Sequence, residues 1–399
     1  MNAQLIFRLF FSVASLLLSL NIFSQPQWIN ERSLQTGAQQ TEAYSNLLDG
    51  KKVAIVANQS SLIGMTHLVD SLLHRKVNVV KIFTPEHGLT GKVDAGASVS
   101  STVYSNTGIP VISLYGKKKQ PAQADMSGID LVVFDLQDVG VRFYTYISTL
   151  TYMMQACAEA GIPLIVLDRP NPNAFYVDGP LLEPAFRSFV GLHPVPVVYG
   201  LTIGEYAMMV NGEKWLEKGF ECDLTVIPLK GYTHRMIVEL AQNPSPNLKS
   251  WKAVYLYPSV CLFEGTVMSV GRGTEFPFEV YGHPELKELG FQFIPQKMSG
   301  ASDPKFLGQK CYGERLSAFA SNYATNPGRL HLDWLIRAYQ LFGQKNLFFN
   351  TYFNLLAGTA QLRQQIEAGM SETAIRKSWE ADLQTYKKIR AKYLLYPDE

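Results

Sequence analysis

From Lys52 onward, short unbroken apolar runs alternate with stretches of helical period. Lys52-Val53-Ala54-Ile55-Val56-Ala57, Val77 to Phe83, Pro110 to Leu114, Leu131 to Phe134 and Pro163 to Leu167 are brief, rich in β-branched residues and bounded by turn formers, which predicts strands. They are apolar throughout rather than alternating, so both faces of each strand are expected to be covered, as in a parallel sheet. Between them, Tyr146 to Ala160 reads as a helix that stops at Gly161-Ile162-Pro163. A second helix, Gly204 to Trp215, follows Thr202, which with Glu205 makes a capping box, and a further strand is predicted at Leu224 to Ile227. Strands alternating with helices predict an α/β, doubly wound, mostly parallel sheet.

The texture changes after Asn243-Pro244-Ser245-Pro246-Asn247, with Gly- and aromatic-rich loops at Phe263 to His283 and helical periods at Asp333 to Phe342 and Thr373 to Tyr393. This predicts a domain at 45–257 and a smaller α+β domain at 258–399, with Gln25 to Tyr44 a loosely held lead-in. The first residues read as a secretory signal at 1–24: Arg8, an apolar run from Leu9 to Leu20, and Ile22-Phe23-Ser24 before a polar segment, with cleavage after Ser24. The apolar run is short for a membrane span, so the expected address is periplasmic or secreted, with no stable membrane span after cleavage.

Charge and composition narrow the function classes. The 399 residues are 47% apolar, and 36 basic against 34 acidic residues leave +2; the longest basic run is Lys117-Lys118-Lys119, so no nucleic-acid partner is expected. Cys157, Cys222, Cys261 and Cys311 lack metal-ligand spacing, and in an exported protein they either pair or act as small buried hydrophobes. The chain has no Gly-x-Gly-x-x-Gly opening a helix, no Walker loop, no nucleophile elbow and no His-Glu-x-x-His, so neither a cofactor nor a metal is expected.

Polar residues gather where predicted strands end, which in an open α/β sheet is where ligands bind. Glu86 and His87 follow the second strand, and Gly88, Gly91 and Gly96 let backbone approach a ligand closely. Asp135, Gln137, Asp138, Arg142, Tyr144 and Tyr146 follow the fourth, either as a sugar site, with aromatic faces for the ring and a guanidinium for a carboxylate, or as an internal ion-pair network. Asp168, Arg169, Asn171 and Asn173 follow the fifth, in a run rigidified by Pro170 and Pro172; the Asn side chains suit hydroxyl and acetamido groups, or else cap turns. The second domain adds Glu264, Arg272 and Glu275 in Gly-rich surroundings. Glycosidic cleavage uses two carboxylates flanking the bond, and Glu86 with Glu264 is the candidate pair.

Taken in order, Pro85-Glu86-His87-Gly88, Asp94-Ala95-Gly96, Asp135 to Tyr146, Asp168 to Asn173, Phe263 to Thr266, Ser269 to Thr274 and Gly282-His283-Pro284 resemble the exo-β-N-acetylmuramidase family of glycoside hydrolases, NamZ type. Two positions depart from the family pattern: Leu89-Thr90 stand where Phe-Arg is expected, and Val267 where Asn is expected. The resemblance implies a Rossmann-like N-terminal domain that binds no dinucleotide, a smaller C-terminal domain and an active site between them. It implies release of terminal N-acetylmuramic acid from the non-reducing end of peptidoglycan fragments. In that reading Glu86 is the acid, Glu264 the second carboxylate, and His87 and Tyr146 orient the acid or the substrate. Arg142 or Arg272 would meet the lactyl carboxylate and the Asn pair the acetamido group. A non-catalytic muropeptide-binding protein and an exported metal-dependent hydrolase are the alternatives; oligomeric state is not legible.

Overall fold

The computed structural model describes residues 27–94, 96–97, 102–104, 107–322 and 328–398. The leader expected at 1–24, with cleavage expected after Ser24, and Ala95 of the Asp94-Ala95-Gly96 run lie outside the described residues. Seven strands form the main sheet: β1 (Lys52–Ala57), β2 (Asn78–Thr84), β3 (Thr102–Tyr104), β4 (Ile109–Ser113), β5 (Leu131–Asp135), β6 (Leu164–Leu167) and β7 (Leu224–Ile227). Their order is β7-β6-β5-β1-β2-β4-β3, parallel except where β3 closes the edge against β4. The chain moves from β1 outward through β2 and β4, then returns to β5 on the other side of β1. The carboxyl ends of the central strands therefore open at a topological switch point.

The continuous apolar runs are explained by burial on both faces. Ala54, Val56, Phe83, Val132 and Phe134 pack into one large core, while Val53, Ile55, Ile82 and Val133 face a second. Helix α1 (Tyr146–Ala160) covers the first face and ends on Gly161 at φ 65, the left-handed cap that its Gly predicts. Helix α2 (Ile203–Gly212) carries the predicted capping box: Thr202 accepts from the Glu205 amide and Glu205 accepts from the Thr202 amide. All four cysteines are unpaired and buried, three in the first core and Cys311 in a small cluster with Val280 and Phe293.

One segment differs from expectation. Residues 27–44 are packed rather than loose: Gln27–Asn30 pairs in parallel with Met236–Glu239, and Ala38 and Tyr44 are fully buried. Ile29 and Leu34 pack with Leu229, Tyr232 and Val238, far along the chain, which local composition does not reveal, while Ala38 and Tyr44 join the second core. Helix α3 (Trp251–Val260) begins on a Ser250 cap and runs through Tyr257 into a 3-10 turn, Cys261–Gly265, so a continuous element joins the two parts of the chain.

Beyond it, β8 (Val280–His283), β9 (Phe291–Phe293) and β10 (Cys311–Arg315) make an antiparallel sheet in the order β8-β10-β9, accompanied by short helices, an α+β unit. The chain then returns: the Tyr386 hydroxyl donates to the Tyr199 carbonyl and Arg390 to the Gly200 carbonyl. Among the described residues no helix is long and apolar enough to cross a membrane.

Candidate active site

The loop after β2 places Glu86 on a cleft of about 570 Å³, which Tyr115 after β4 and Thr145 after β5 also line. Glu264, Arg272 and Tyr352 form the facing wall. Glu264 is delivered by the 3-10 extension of α3. At its end Gly265 lets residue 353 approach closely, since a Cβ there would lie 2.4 Å from the Phe353 Cα.

Glu86 is half-buried and surrounded by donors. Its Oε1 accepts from the Gly96 amide at 3.0 Å and its Oε2 from the Thr145 hydroxyl at 3.0 Å. The Tyr115 hydroxyl also bonds it; burial, and then the Glu86 charge and this bond, lift that phenol far above its ordinary value, so it stays protonated. Thr145 is the residue that begins α1, which sets the positive end of a 15-residue helix beside the carboxylate. The amide and the two hydroxyls can all donate to a carboxylate. The two hydroxyls can also turn and accept from a protonated carboxyl.

His87 occupies the left-handed region at φ 70, unusual for a residue with a Cβ. Its Nδ1 lies 2.7 Å from the Val93 carbonyl oxygen, which can only accept, so Nδ1 carries the proton and Nε2 keeps a lone pair. Burial pushes the imidazole below its ordinary value despite the Glu86 charge beside it, which leaves it neutral at pH 7. His87, Tyr144 and Tyr146 line a narrower recess of about 60 Å³ that Glu86 and Arg272 share. There Asn58 donates to the Tyr146 hydroxyl at 2.9 Å, Tyr144 donates to the Pro244 carbonyl at 2.7 Å, and the two rings meet edge to face at 4.7 Å.

Across the cleft, Arg272 holds Glu264 in a two-pronged pair, with Nε and Nη2 donating at 3.1 and 2.9 Å. Burial alone would raise the Glu264 carboxyl, but the Arg272 charge and hydrogen bonds reverse this and hold it below its ordinary value. The guanidinium also lies 4.9 Å over the Phe278 ring. Glu264 is therefore an ionised, oriented carboxylate facing Glu86 across one cavity.

Six of the residues picked out in the sequence thus share the cleft: Glu86, His87, Tyr144, Tyr146, Glu264 and Arg272. The others take different positions. Arg142, expected on a substrate carboxylate, is fully buried and donates to four backbone carbonyls, those of Pro180, Val195, Leu356 and Ala357. Asp135 is spent on Arg169, which grips it at 2.6 and 2.9 Å. Asp168 sits under the C-terminal tail, accepting from Thr202, the Gly204 amide and the Tyr396 hydroxyl, and burial pushes its carboxyl up to about 6.

Asn171 and Asn173 are buried and staple loops together, Asn171 onto the Leu201 carbonyl and Asn173 onto those of Val139 and Val254. Gln137 bonds the Asp138 and Pro170 carbonyls and, with Arg169, borders a separate hollow of about 350 Å³. Glu275 is exposed and does not border the cleft. Apart from Glu275, each of these polar residues turned inward, to buried backbone or to a buried side-chain partner, instead of outward to a ligand. The sequence reading missed Tyr115, Thr145 and Tyr352; the first two follow strand ends and had that signal, whereas Tyr352 comes from a loop with none.

A family model described as exo-β-N-acetylmuramidase NamZ, N-terminal, matches residues 53–252, and its C-terminal counterpart matches residues 255–396. The peptidoglycan β-N-acetylmuramidase NamZ of Bacillus subtilis (strain 168) is 36% identical over 398 residues, covering 94% of this chain and 94% of that protein. Among solved structures, a DUF1343 family protein from Bacteroides fragilis NCTC 9343 is 45% identical with a TM-score of 0.85, covering 92% of this chain and 99% of its own. A second from the same organism is 27% identical with a TM-score of 0.76, over 91% and 99%.

Proposed function

Because the chain belongs to the exo-β-N-acetylmuramidase NamZ family, we propose that it is an exported glycosidase that releases terminal N-acetylmuramic acid from the non-reducing end of peptidoglycan fragments. The coarser statement, a glycoside hydrolase acting on peptidoglycan, follows from the family and the B. subtilis relative. One observation carries the finer reading: Glu86 and Glu264, contributed by different parts of the chain, border the same 570 Å³ cleft.

In this reading Glu86 protonates the leaving oxygen. The Gly96 amide, the Thr145 and Tyr115 hydroxyls and the helix end then stabilise the carboxylate produced, an interaction stronger after proton transfer than before. Glu264, kept ionised by Arg272, acts on the anomeric side, as nucleophile, as base for a water, or by orienting the sugar's own acetamido group. His87, neutral, accepts through Nε2 from the substrate or from Glu86. Export through the residue 1–24 leader would bring the enzyme to its substrate.

The test is hydrolysis of a chromogenic β-N-acetylmuramide by the mature protein, beside Glu86→Gln and with a chelator present. Turnover that the chelator spares and the substitution abolishes supports the proposal. Binding of the sugar without turnover overturns it in favour of a muropeptide-binding protein, and loss of turnover to the chelator makes the reaction metal-dependent.

A further inference from the structure

We propose that Lys119, seated on the Phe189 ring at the mouth of the cleft, is the residue that selects for the carboxylate of the muramyl sugar. The inference rests on the glycosidase reading above and names what distinguishes N-acetylmuramic acid from plain N-acetylglucosamine at that site, namely the anionic lactyl ether.

The argument begins with a count of charge on the cleft walls. The acidic and basic side chains bordering the main cleft are Glu86, Lys119, Glu264 and Arg272, with the neutral His87 in the recess beside it. Arg272 is neutralised by Glu264, and Arg142 lies behind the wall on backbone carbonyls. Neither arginine that the sequence offered for a substrate carboxylate is a free cation. Once Glu86 is protonated, as an acid must be before it acts, Lys119 alone gives the cleft its net charge, which is positive.

Lys119 is also placed rather than merely present. It closes the basic run Lys117-Lys118-Lys119, whose members have different fates. Lys118 is taken by Asp125 at 2.7 Å, whereas Lys119 makes no ion pair with any described carboxylate and sets its ammonium 4.8 Å from the Phe189 ring centre. Phe189 in turn stacks on Tyr152, centroids 6.1 Å apart and planes within 10°, and touches Tyr115 at 5.9 Å. Tyr115 bonds Glu86, so one ring links the Lys119 seat to the acid.

A lysine ammonium over an aromatic face does not spend all three N–H donors on the ring, and those left over are open to an anion. The platform beside it supplies an apolar surface for a sugar face. Carboxylate recognition here has two sources, the lactyl group of the bare sugar or, when that group is amidated, the carboxylates of an attached peptide.

Wild type, Lys119→Met and Lys119→Arg would be assayed on three chromogenic β-muramides: the free lactyl acid, its neutral carboxamide, and the dipeptide-bearing form. The expected result for Lys119→Met is a KM on the acid raised about tenfold or more, the loss of one charge-assisted hydrogen bond, with kcat within about twofold and the carboxamide unaffected. Lys119→Arg restores most of the loss. A KM effect on the dipeptide form alone overturns the lactyl assignment and places the contact on the peptide carboxylate. An equal effect on acid and carboxamide, or none, overturns it. If wild type turns over no muramide, the parent reading fails by itself. Titration of N-acetylmuramic acid into wild type and Lys119→Met then still decides the contact: weaker binding to the variant supports it, and equal binding overturns it.

Discussion

Arg272 holds both oxygens of Glu264, at 3.1 and 2.9 Å, and this pair keeps a second carboxylate ionised across the cleft from Glu86. Burial works against that ionisation and Arg272 overrides it. Arg272→Met therefore lets the Glu264 carboxyl rise, so that it is lost as an anion at a higher pH. The acidic limb of the kcat/KM profile is expected to move to higher pH, with a smaller shift for Arg272→Lys, which keeps the charge but not the fork. A profile that falls in height without moving would show that Glu264 titration does not limit the rate.

Thr145 ties the start of α1 to Glu86 through one hydroxyl. Thr145→Ala is expected to lower kcat about tenfold or more, the scale of one hydrogen bond to a charged group, and Thr145→Ser to recover it. Glu86→Gln is expected to lose at least about 100-fold in kcat with its fold intact. Single-turnover rates with circular dichroism as a fold check would measure both.

For Arg142 the structure predicts a stability effect rather than a binding one. Arg142→Met leaves four buried carbonyls without their donor and is expected to destabilise the protein by about 3 kcal/mol or more, read from denaturant midpoints. Substrate KM in the folded fraction stays unchanged. A large KM rise without loss of stability would return Arg142 to the substrate.

The Tyr396 hydroxyl donates to Asp168 at 2.5 Å and accepts from the Leu229 amide at 2.8 Å, pinning the C-terminal tail to the end of β6. Tyr396→Phe is expected to cost about 1–3 kcal/mol and lower the thermal midpoint, because a buried carboxyl loses a donor and a buried amide its acceptor. An unchanged midpoint would mean that the tail is not a structural strap.

His234 donates through Nε2 to Glu205 at 2.8 Å, and its Nδ1 lies 3.0 Å from Asp398, close enough for an ion pair although the angle falls short of a hydrogen bond. Burial opposes its charge, yet Asp398 and Glu205 raise the imidazole from 6.5 to about 9. A raised folded value means stability fully present below the unfolded value and lost as pH climbs through the folded one. The stability difference between wild type and His234→Gln is expected to be constant below about pH 6 and to shrink as pH rises toward 9. Urea midpoints at several pH values would show it, and a pH-independent difference would refute it.

What the sequence determined by itself was set by neighbours along the chain. β1 matches its apolar run residue for residue, α1 begins at Tyr146 and stops at Gly161, and Thr202 with Glu205 caps α2, because strand formation, helix stops and caps depend on a few adjacent residues. Glu86 and His87 were legible for the same reason: a strand had ended and the next residues were ionisable.

Which polar residues line the cleft was decided only by the tertiary structure. Asp135, Asp168 and Arg142 had the same local signal as Glu86, but their partners lie 34, 228 and up to 215 residues away, and these partners turn each one inward. Glu264 and Glu86 face one cleft only because α3 carries the chain across, and Lys119 differs from Lys118 only because Phe189 lies beneath it and Asp125 does not. A charged group acts according to what desolvates and pairs it, and those neighbours come from folding, not from adjacency in the chain.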